Sequence, residues 1–408
     1  MSQTNKLKIF NDPIYGFITI PNEFIYDLIQ HPYFQRLRRI SQMGLSYLVY
    51  PGAHHTRFHH ALGAMHLMQK AVEVLRHKAI DISTEEETAL YAAILLHDVG
   101  HGPFSHALEQ SLMEVHHETL SLRFMQSLNE AYEGKLDMAI AMFKGTYPRK
   151  FMTQLISSQL DMDRMDYLKR DSFYSGVAEG NINSDRLIQM MTVVNDSLVM
   201  EEKSIYSIEK FLLARRLMYW QAYLHKTSLA AELMLTQVLK RARKLAQSGV
   251  QLACSPALGY FLHQNLTEDD FTPEVLTQFS HLDDYDVMSA LKAWQWEGDF
   301  ILKTLSAQLV NRDLFKVTLT EEKTPKEIVN TLKEKIASVY GLSTKEASYF
   351  VYSGKIKNQA YNKEAEPIMM VKKDKSVQQV TEHSESLNSR ALSHPDTKYY
   401  LCYPKDLL

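Results

Sequence analysis

The chain has 408 residues, of which 45% are hydrophobic, so it can bury a substantial core and is too long for one small domain. Its 45 basic and 48 acidic residues give a net charge of −3, which excludes a globally polycationic nucleic-acid-binding protein. The two cysteines, Cys254 and Cys402, are far apart, which excludes a disulfide framework and a CxxC zinc knuckle. The chain shows no signal-peptide pattern and no apolar run near the roughly 18 residues of a membrane span. We therefore expect a cytoplasmic protein without a membrane partner.

The first elements in chain order are a hairpin and a long helical region. Residues 6–20 alternate apolar and polar side chains around Asn11-Asp12-Pro13 and Gly16, which predicts a short β-hairpin. From Asn22 to about Val310 the apolar residues recur at spacings of three and four, which predicts helices.

The pattern changes beyond Asp313, where short apolar runs predict strands on either side of an amphipathic helix over Lys326–Tyr340. The predicted strands are Leu314–Leu319, Tyr349–Tyr352, Ile368–Val371 and Tyr399–Tyr403. We therefore expect a mainly α protein in three parts. These are an N-terminal hairpin over 1–21, which we expect to be an allosteric or interface segment, a helical domain over 22–312, and a small α+β lobe over 313–408.

The sequence between residues 95 and 106, LLHDVGHGPFSH, carries the strongest chemical signal. An apolar helix ends there on His97-Asp98, two glycines turn the backbone, and further histidines follow. Imidazole and carboxylate groups bind divalent metals, and histidine also transfers protons near neutral pH. A core helix has no packing reason to end this way, so the pattern predicts a metal site that performs hydrolysis. The donor types suit Mn, Fe, Zn, Co or Ni, and also Mg if water completes its coordination.

Other parts of the chain supply further candidate ligands for the same centre. They are Arg57–His60, Asp161–Tyr167, and a histidine group of His101, His106 and His116/His117. The order His…His-Asp…Asp is similar to the signature of the HD phosphohydrolase superfamily. This resemblance assigns the metal ligands to His60, His97, Asp98 and Asp163. Asp161 and Asp166 flank Asp163 and remain competing candidates.

The resemblance extends beyond the superfamily, over roughly residues 8–230. The supporting segments are Phe34–Arg38, Gln42–Gly44, Tyr47–His60, His97–His106, Asp161–Asp171 and Tyr223–Lys226. Together they resemble the deoxynucleoside triphosphate triphosphohydrolases. This resemblance implies a helical HD-domain core and a reaction that attacks the α-phosphorus and releases the deoxynucleoside and intact triphosphate. Bacterial dGTP hydrolases share much of this core, so the sequence leaves open whether the substrate is dGTP or dNTPs generally.

Roles follow from the resemblance position by position. His106 matches the histidine that protonates the leaving 5′ oxygen, and the neighbouring catalytic group is matched by His101, Glu109 and His117. Positions that match phosphate contacts are Arg57, Arg164, Tyr167, Arg215 and Lys226. Positions that match the sugar contacts are Gln42, Asp171 and Tyr223, and the remaining pocket is matched by Met43 and His225. Glu109 stands where the family often has Asp, and Arg164 replaces a lysine.

A further set of residues resembles the site of an activating guanine nucleotide at a subunit interface. These are Lys8, Asn11, Gln35 and Arg38. The family's acidic residue that reads the guanine edge is Gln30 here, which argues against guanine-specific activation. We expect a homo-oligomer, either dimer or tetramer, with a nucleotide activator as a candidate partner.

Two other classes of function compete with this interpretation. One is an HD phosphodiesterase or 5′-nucleotidase, although His101 replaces the lysine of the cyclic-dinucleotide branch and the chain has no GYP triplet. The other is a nucleotide-sensing HD module, which usually loses a ligand or a catalytic histidine, and none is lost here. A nucleic-acid surface on the basic C-terminal lobe is a further alternative, which we do not favour over ordinary solvated faces.

Overall fold

The computed structural model describes residues 8–109, 111–358, 361, 367–384 and 396–407, and the side chains of His106 and Leu407 are outside the described set. Within these residues there are eighteen α-helices and nine strands, which confirms the mainly α class. No helix among them combines the length and the apolar character that crossing a bilayer requires.

The predicted N-terminal hairpin is present. Strands β1 (Ile9–Asp12) and β2 (Gly16–Thr19) pair antiparallel. The turn between them is stabilised by the Asp12 carboxylate, whose Oδ1 accepts hydrogen bonds from the amides of Ile14 (2.9 Å) and Tyr15 (3.0 Å). Gly16 closes the turn at φ +75°, in the left-handed region that favours glycine.

Helices make up most of the chain that follows. Their bounds are α1 Glu23–Gln30, α2 Pro32–Gln35, α3 Arg57–His77, α4 Thr84–Leu96, α5 Ser105–Glu109, α6 His117–Ala131, α7 Asp137–Phe143, α8 Lys150–Ile156, α9 Met162–Ser175, α10 Ser184–Gln189, α11 Ile205–Met218, α12 Lys226–Gln247, α13 Pro256–His263, α14 Pro273–Ser280, α15 Asp284–Trp294 and α16 Phe300–Val310. Short 3₁₀ turns cover Arg36–Arg39 and Gly44–Leu48, and a π-helical turn covers Tyr219–Tyr223.

Three of these helices form the centre of the core and position the site. Helix α4 begins with a capping box in which Ser83 and Glu86 satisfy each other's amides, and it buries every residue from Ala89 to Leu96. Helix α3 packs against both α4 and α9 and buries most of its apolar residues. Because α3 lies between them, the ends of α4 and α9 meet near its first turn.

A second hairpin interrupts the predicted helical region. Strands β3 (Met191–Val194) and β4 (Ser197–Glu201) pair antiparallel around Asn195 and Asp196, which both adopt positive φ. An Asn-Asp pair between short β-branched runs is a hairpin signal, and the surrounding helical periodicity obscured it. The sequence analysis predicted helices over this region and missed this hairpin.

The C-terminal part has the expected mixture of helix and strand. Its elements are β5 Lys316–Thr320, α17 Lys326–Tyr340, α18 Thr344–Ala347, β6 Tyr352–Asn358, β7 Met369–Val371, β8 Val377–Gln379 and β9 Asp396–Tyr403. Strand β9 lies between β5 and β6 in an antiparallel sheet. Strand β7 pairs parallel with β4 and antiparallel with β8, so the second hairpin and the C-terminal part share a sheet. The run Tyr349–Tyr352 is mostly outside its strand, which begins at Tyr352.

Candidate metal centre and adjoining pocket

Three elements bring candidate ligands to one point. His60 lies in the first turn of α3, His97 follows the end of α4, and Asp163 lies in the first turn of α9. The His60 Nε2 atom is 3.2 Å from Asp163 Oδ1 and 3.4 Å from His97 Nε2, and His97 Nε2 is 3.5 Å from Asp163 Oδ1. Three donor atoms therefore converge from helices that are distant in the sequence.

Asp98 borders this cluster and connects it to a cation. Its Oδ1 is 3.3 Å from His97 Nε2, and its Oδ2 is 3.8 Å from His60 Nε2. The same Oδ2 accepts a hydrogen bond from Arg57 Nη1 at 2.5 Å. Asp98 thus faces both the histidine nitrogens and a guanidinium group.

The other nitrogen of each histidine is hydrogen-bonded, which sets the orientation of the ring. His60 Nδ1 lies 2.8 Å from Asp166 Oδ2, and His97 Nδ1 lies 2.6 Å from the carbonyl oxygen of Ile94. Since these partners are acceptors, each Nδ1 carries the proton in a neutral ring and each Nε2 presents its lone pair to the cluster. This arrangement is the usual support for a metal-bound histidine.

The three competing aspartates have different positions. Asp163 points to the cluster, whereas Asp166 supports His60 from behind. Asp161 is the N-cap of α9 and accepts hydrogen bonds from the amides of Ser158 and Arg164, both at 2.7 Å. Of the three, Asp163 has the geometry of a ligand.

The electrostatics of the cluster fit a bound cation. Burial by itself would lower the pKa of His60, but hydrogen bonds that the doubly protonated ring donates to Asp163 and Asp166 raise that pKa to about 10. The pKa of His97 is likewise raised by the neighbouring carboxylates, against the effect of burial. The carboxyl groups of Asp98 and Asp163 have pKa values well below their usual range because they face histidines. These residues favour positive charge where the donors meet, and a divalent metal ion could supply it in place of the protons.

A second group of residues adjoins the centre through Asp98. The rings of His101 and His117 stack with centroids 3.8 Å apart, and His117 Nδ1 is 2.9 Å from Glu109 Oε1. His101 Nε2 is 3.3 Å from Asp98 Oδ1. Burial and the charge of Arg57 lower the pKa of His101 well below its ordinary value, so this ring is neutral at pH 7. The fourth member predicted for this group, His106, lies on α5 with its side chain outside the described set.

The close approach that joins these two groups depends on Gly100. A methyl group at this position would overlap the backbone of α6 at His117 and Ser121. The Gly100 amide donates to Ser121 Oγ at 2.9 Å. The turn after His97-Asp98 is therefore pressed against the helix that carries His117, which glycine alone permits.

A cavity of about 270 Å³ opens beside the centre. Among the predicted substrate residues, those on its lining are Gln42, Met43, Arg57, Tyr167, Asp171 and Tyr223. The lining also includes Tyr219 of the π-helical turn and Glu232 of α12, two residues that the sequence analysis did not select. The other predicted substrate residues, which lie off this lining, are Arg164, Arg215, His225 and Lys226.

Asp171 organises one side of the cavity. Its Oδ2 accepts a hydrogen bond from the Tyr223 hydroxyl at 2.7 Å, and its Oδ1 is 2.6 Å from His55 Nε2. His55 is buried and stacks on Tyr174 with centroids 4.4 Å apart. The sequence analysis did not select His55, because its spacing does not separate a buried supporting histidine from one in a surface loop. Gln42 Oε1 is buried without a hydrogen-bond partner among the described residues, so it can accept one from a ligand.

Three of the predicted substrate residues that lie off the lining have intramolecular partners. Arg164 forms an ion pair with Asp161, and Arg215 Nη1 donates to Gln159 Oε1 at 3.2 Å. Burial raises the pKa of the Tyr167 phenol, although the positive charges of both guanidinium groups act to lower it. His225 caps α12, and its Nδ1 accepts a hydrogen bond from the amide of Thr227 at 3.2 Å.

The predicted activator residues lie around the N-terminal hairpin and the first helices. Lys8 Nζ is 3.0 Å from the ring centroid of Tyr26, and Gln35 Nε2 donates to the carbonyl of Ile29 at 2.7 Å. Arg38 Nε donates to Gln35 Oε1 at 2.9 Å, and Asn11 lies on β1. Lys8, Gln35 and Arg38 are therefore engaged within the chain.

The helical fold and the His-Asp centre are those of the HD-domain phosphohydrolase class, with a candidate metal site. Residues 57–171 match the family HD domain, and residues 182–252 match the family HD associated region. The chain belongs to the HD-domain family that is similar to the deoxynucleoside triphosphate triphosphohydrolases.

Several known proteins are similar over much of the chain. The uncharacterized protein YwfO of Bacillus subtilis is 31% identical, over 98% of this chain and 93% of that protein. The crystal structure of a phosphohydrolase from Bacteroides thetaiotaomicron has 49% identity and a TM-score of 0.94, covering 98% of this chain and all of that one. The deoxynucleoside triphosphate triphosphohydrolase SAMHD1 of Gallus gallus is 28% identical, over 58% of this chain and 45% of that protein.

Proposed function

We propose that this protein hydrolyses deoxynucleoside triphosphates, dGTP or dNTPs generally, to the deoxynucleoside and inorganic triphosphate. One observation carries the proposal. A single cavity is lined both by Arg57, whose Nη1 is 2.5 Å from Asp98, and by the hydrogen-bonded pair Asp171 and Tyr223. It therefore offers a charged end beside the centre and a polar aromatic wall for a sugar.

The metal would be held by His60, His97, Asp98 and Asp163. When bound, a divalent ion such as Mg, Mn, Fe, Zn, Co or Ni lowers the pKa of water and neutralises charge on a phosphoryl oxygen. The short distances among the His60 Nε2, His97 Nε2 and Asp163 Oδ1 atoms support this ligand set.

Arginine side chains would bind the triphosphate. Arg57 lies on the cavity lining, and its planar guanidinium can bind phosphate oxygens while it keeps its contact with Asp98. Arg164 and Arg215 lie close enough to Tyr167, a residue of the lining, to lower its pKa electrostatically, and Lys226 is the first residue of α12. Their positive charge would favour the polyphosphate over an uncharged tail.

The stacked histidines would manage protons and orientation. His101, whose Nε2 faces Asp98 and whose Nδ1 lies 2.7 Å from Ser105 Oγ, would help to orient the phosphate and its nucleophile, and Glu109 holds the ring of His117 against it. His106 on α5 is the proposed proton donor to the leaving 5′ oxygen, because an alkoxide is a poor leaving group without protonation.

The sugar would lie against Tyr223, with Asp171 and Gln42 as partners for its 3′ hydroxyl. Asp171 is oriented by two hydrogen bonds before a ligand arrives. Gln42 Oε1 has no partner among the described residues and can accept a hydrogen bond from the ligand. The aromatic ring of Tyr223, packed beneath C2′ of the sugar, would leave no space for a 2′ hydroxyl. The remaining pocket would include Met43, with His225 close to its edge.

A homo-oligomer, dimer or tetramer, with a nucleotide activator near Lys8, Asn11, Gln35 and Arg38 completes the proposal. Activation would require Lys8 to leave Tyr26 and Gln35 to leave the Ile29 carbonyl, since both are engaged within the chain.

Product analysis by chromatography tests the reaction. Purified protein is incubated with each dNTP singly and with all four together, in Mg or Mn, beside an Asp163→Asn variant and an exposed control, Asp185→Asn. We expect deoxynucleoside and intact triphosphate from the wild type and the control, and neither from Asp163→Asn. Turnover restricted to the mixture would indicate an activator. Release of phosphate or pyrophosphate, or cleavage of monophosphates or diesters instead, would contradict the proposal.

A further inference from the structure

A buried chain of ionic hydrogen bonds connects the N-terminal hairpin to the candidate metal centre. Asp12 Oδ2 accepts from Arg170 Nη1 at 2.8 Å, Arg170 Nε donates to Asp166 Oδ2 at 2.9 Å, and this same oxygen is 2.8 Å from His60 Nδ1. The four residues are 7%, 0%, 0% and 0% exposed, in that order. Water therefore cannot replace a lost partner. Each buried charge is stabilised by the neighbouring residue in this series of hydrogen bonds.

Arg170 is held in one orientation by its two carboxylates. Besides the Nε bond, Arg170 Nη2 donates to Asp166 Oδ1 at 3.0 Å, so the guanidinium grips Asp166 with two parallel hydrogen bonds. Asp12 occupies Nη1 on the remaining side. The plane of the Arg170 guanidinium therefore fixes the plane of the Asp166 carboxylate. The carboxylate in turn fixes the direction of the hydrogen bond to His60 Nδ1.

The backbone of α3 leaves no free space around this pair. A methyl group on Gly63, three residues after His60 on the same helix, would overlap Asp166 Oδ1 and Arg170 Nη2. Helix α3 therefore presses on the ion pair at the point where α9 crosses it. Asp166 and Arg170 can keep these positions because residue 63 lacks a side chain.

Asp12 has two separate tasks in the hairpin. Its Oδ1 closes the turn by accepting the amides of Ile14 and Tyr15, and its Oδ2 reaches Arg170. The first task needs only an oxygen that accepts hydrogen bonds, whereas the second needs a negative charge. Asparagine can retain the first while losing the second, because its amide nitrogen cannot accept a hydrogen bond from Arg170.

We propose that Asp12 is a positioning residue for the metal ligand His60, so that the N-terminal hairpin sets the metal affinity of the centre. Asp12 fixes Arg170, Arg170 fixes the Asp166 carboxylate, and Asp166 holds the Nδ1 proton of His60 so that Nε2 points at Asp163. This inference rests on the metal centre of the proposed function and is independent of the substrate.

The test measures metal affinity without any nucleotide. Metal-free wild type and Asp12→Asn are titrated with manganese by calorimetry and with cobalt by visible absorption, which reports coordination geometry. Removal of a partner that orients a metal-bound histidine weakens binding by about 10–100-fold, and we expect this loss and a changed cobalt spectrum in Asp12→Asn. The matched control is Gly16→Ala, which strains the same turn at φ +75° without touching Arg170. It should bind both metals within about twofold of the wild type.

The outcomes separate this inference from the proposed function. A folded Asp12→Asn variant with unchanged affinity and spectrum, or equal losses in Gly16→Ala, would overturn the role of Asp12 and leave the centre intact. A wild type that binds neither metal would overturn the centre and this inference together.

A second variant keeps the test decisive if Asp12→Asn does not fold. Gly63→Ala would displace Asp166 and Arg170 from the side of α3, because the side chains of these two residues are the nearest to the added methyl group. It should reduce the affinity for manganese by a similar factor. Unchanged affinity in Gly63→Ala would count against the inference.

Discussion

Asp284 provides a stability prediction whose size and sign follow from its surroundings. It is the first residue of α15 and is buried, its Oδ2 accepts a hydrogen bond from the Ser41 amide at 2.8 Å, and its Oδ1 has no partner among the described residues. Burial raises the pKa of this carboxyl from 3.8 to about 6, although the amides of Ser41 and Phe104 act in the opposite direction.

The sign follows from proton binding. A carboxyl with a raised pKa in the folded state holds its proton there after the unfolded chain has released it, so stability falls as the pH rises from about 4 to about 6. Above that window the cost of burying the charge is constant. Since one pH unit corresponds to about 1.4 kcal/mol, raising the pKa from 3.8 to about 6 costs about 3 kcal/mol at neutral pH.

Asp284→Asn removes this charge and keeps an oxygen for the Ser41 amide. We expect the variant to be more stable than the wild type at about pH 8, by up to about 3 kcal/mol in the free energy of unfolding. The advantage should shrink by about 1.4 kcal/mol at about pH 5, where the wild-type carboxyl is mostly protonated. Urea unfolding followed by circular dichroism at both pH values measures the difference.

A neighbouring aspartate supplies the control with the opposite sign. Asp283 forms an ion pair with Arg39 and caps α15 through the amide of Tyr285 at 3.0 Å. Asp283→Asn should therefore destabilise the protein at both pH values, because it loses the ionic partner of Arg39. The reasoning for Asp284 fails if Asp284→Asn is less stable than the wild type at about pH 8, or if the difference does not change with pH.

Three further predictions concern the site. Gly100→Ala should abolish manganese binding in calorimetry or strongly lower the melting temperature, because the new methyl group meets the backbone of α6. A folded variant with wild-type affinity for manganese would contradict this packing argument. Manganese at 100 times its Kd should raise the free energy of unfolding by about 2.7 kcal/mol, and a chelator should reverse this. Asp163→Asn should show no such rise, and a rise there would remove Asp163 from the ligands. Tyr223→Phe loses the hydroxyl bonded to Asp171 and should lower kcat/KM for dNTPs by about 2–12-fold in steady-state assays, with manganese affinity unchanged; equal loss of both would make Tyr223 a structural residue.

Much of the fold follows from local patterns in the sequence. The bounds predicted for α17, Lys326–Tyr340, are those observed, because its amphipathic periodicity is uninterrupted and Gly341 ends it at φ +64°. The N-terminal hairpin was equally predictable from its Asp12-Pro13 turn. The hairpin over Met191–Glu201 was not, since its strands are short and lie among helices, and one of them is completed by β7 from far along the chain.

The candidate site also has a part that the sequence predicts and a part that depends on the packing of the helices. The motif around His97-Asp98 predicts metal chemistry by itself, because the donor types and the glycine turn are contiguous in the chain. The choice among Asp161, Asp163 and Asp166 cannot be made from their spacing, since all three lie within the first turns of one helix. Packing of α9 against α3 separates them in space, by bringing Asp163 to His60 Nε2 and Asp166 to His60 Nδ1, and so supports Asp163 as the proposed ligand.

The connection from Asp12 to His60 depends entirely on tertiary structure. Asp12 and Arg170 are 158 residues apart in the chain, and each looks like an ordinary polar residue in its own segment. Sequence by itself determined the chemical groups, the turns and the helix ends, because these depend on near neighbours. The tertiary structure decided which groups share the same buried space, because burial forces distant charges to pair with one another.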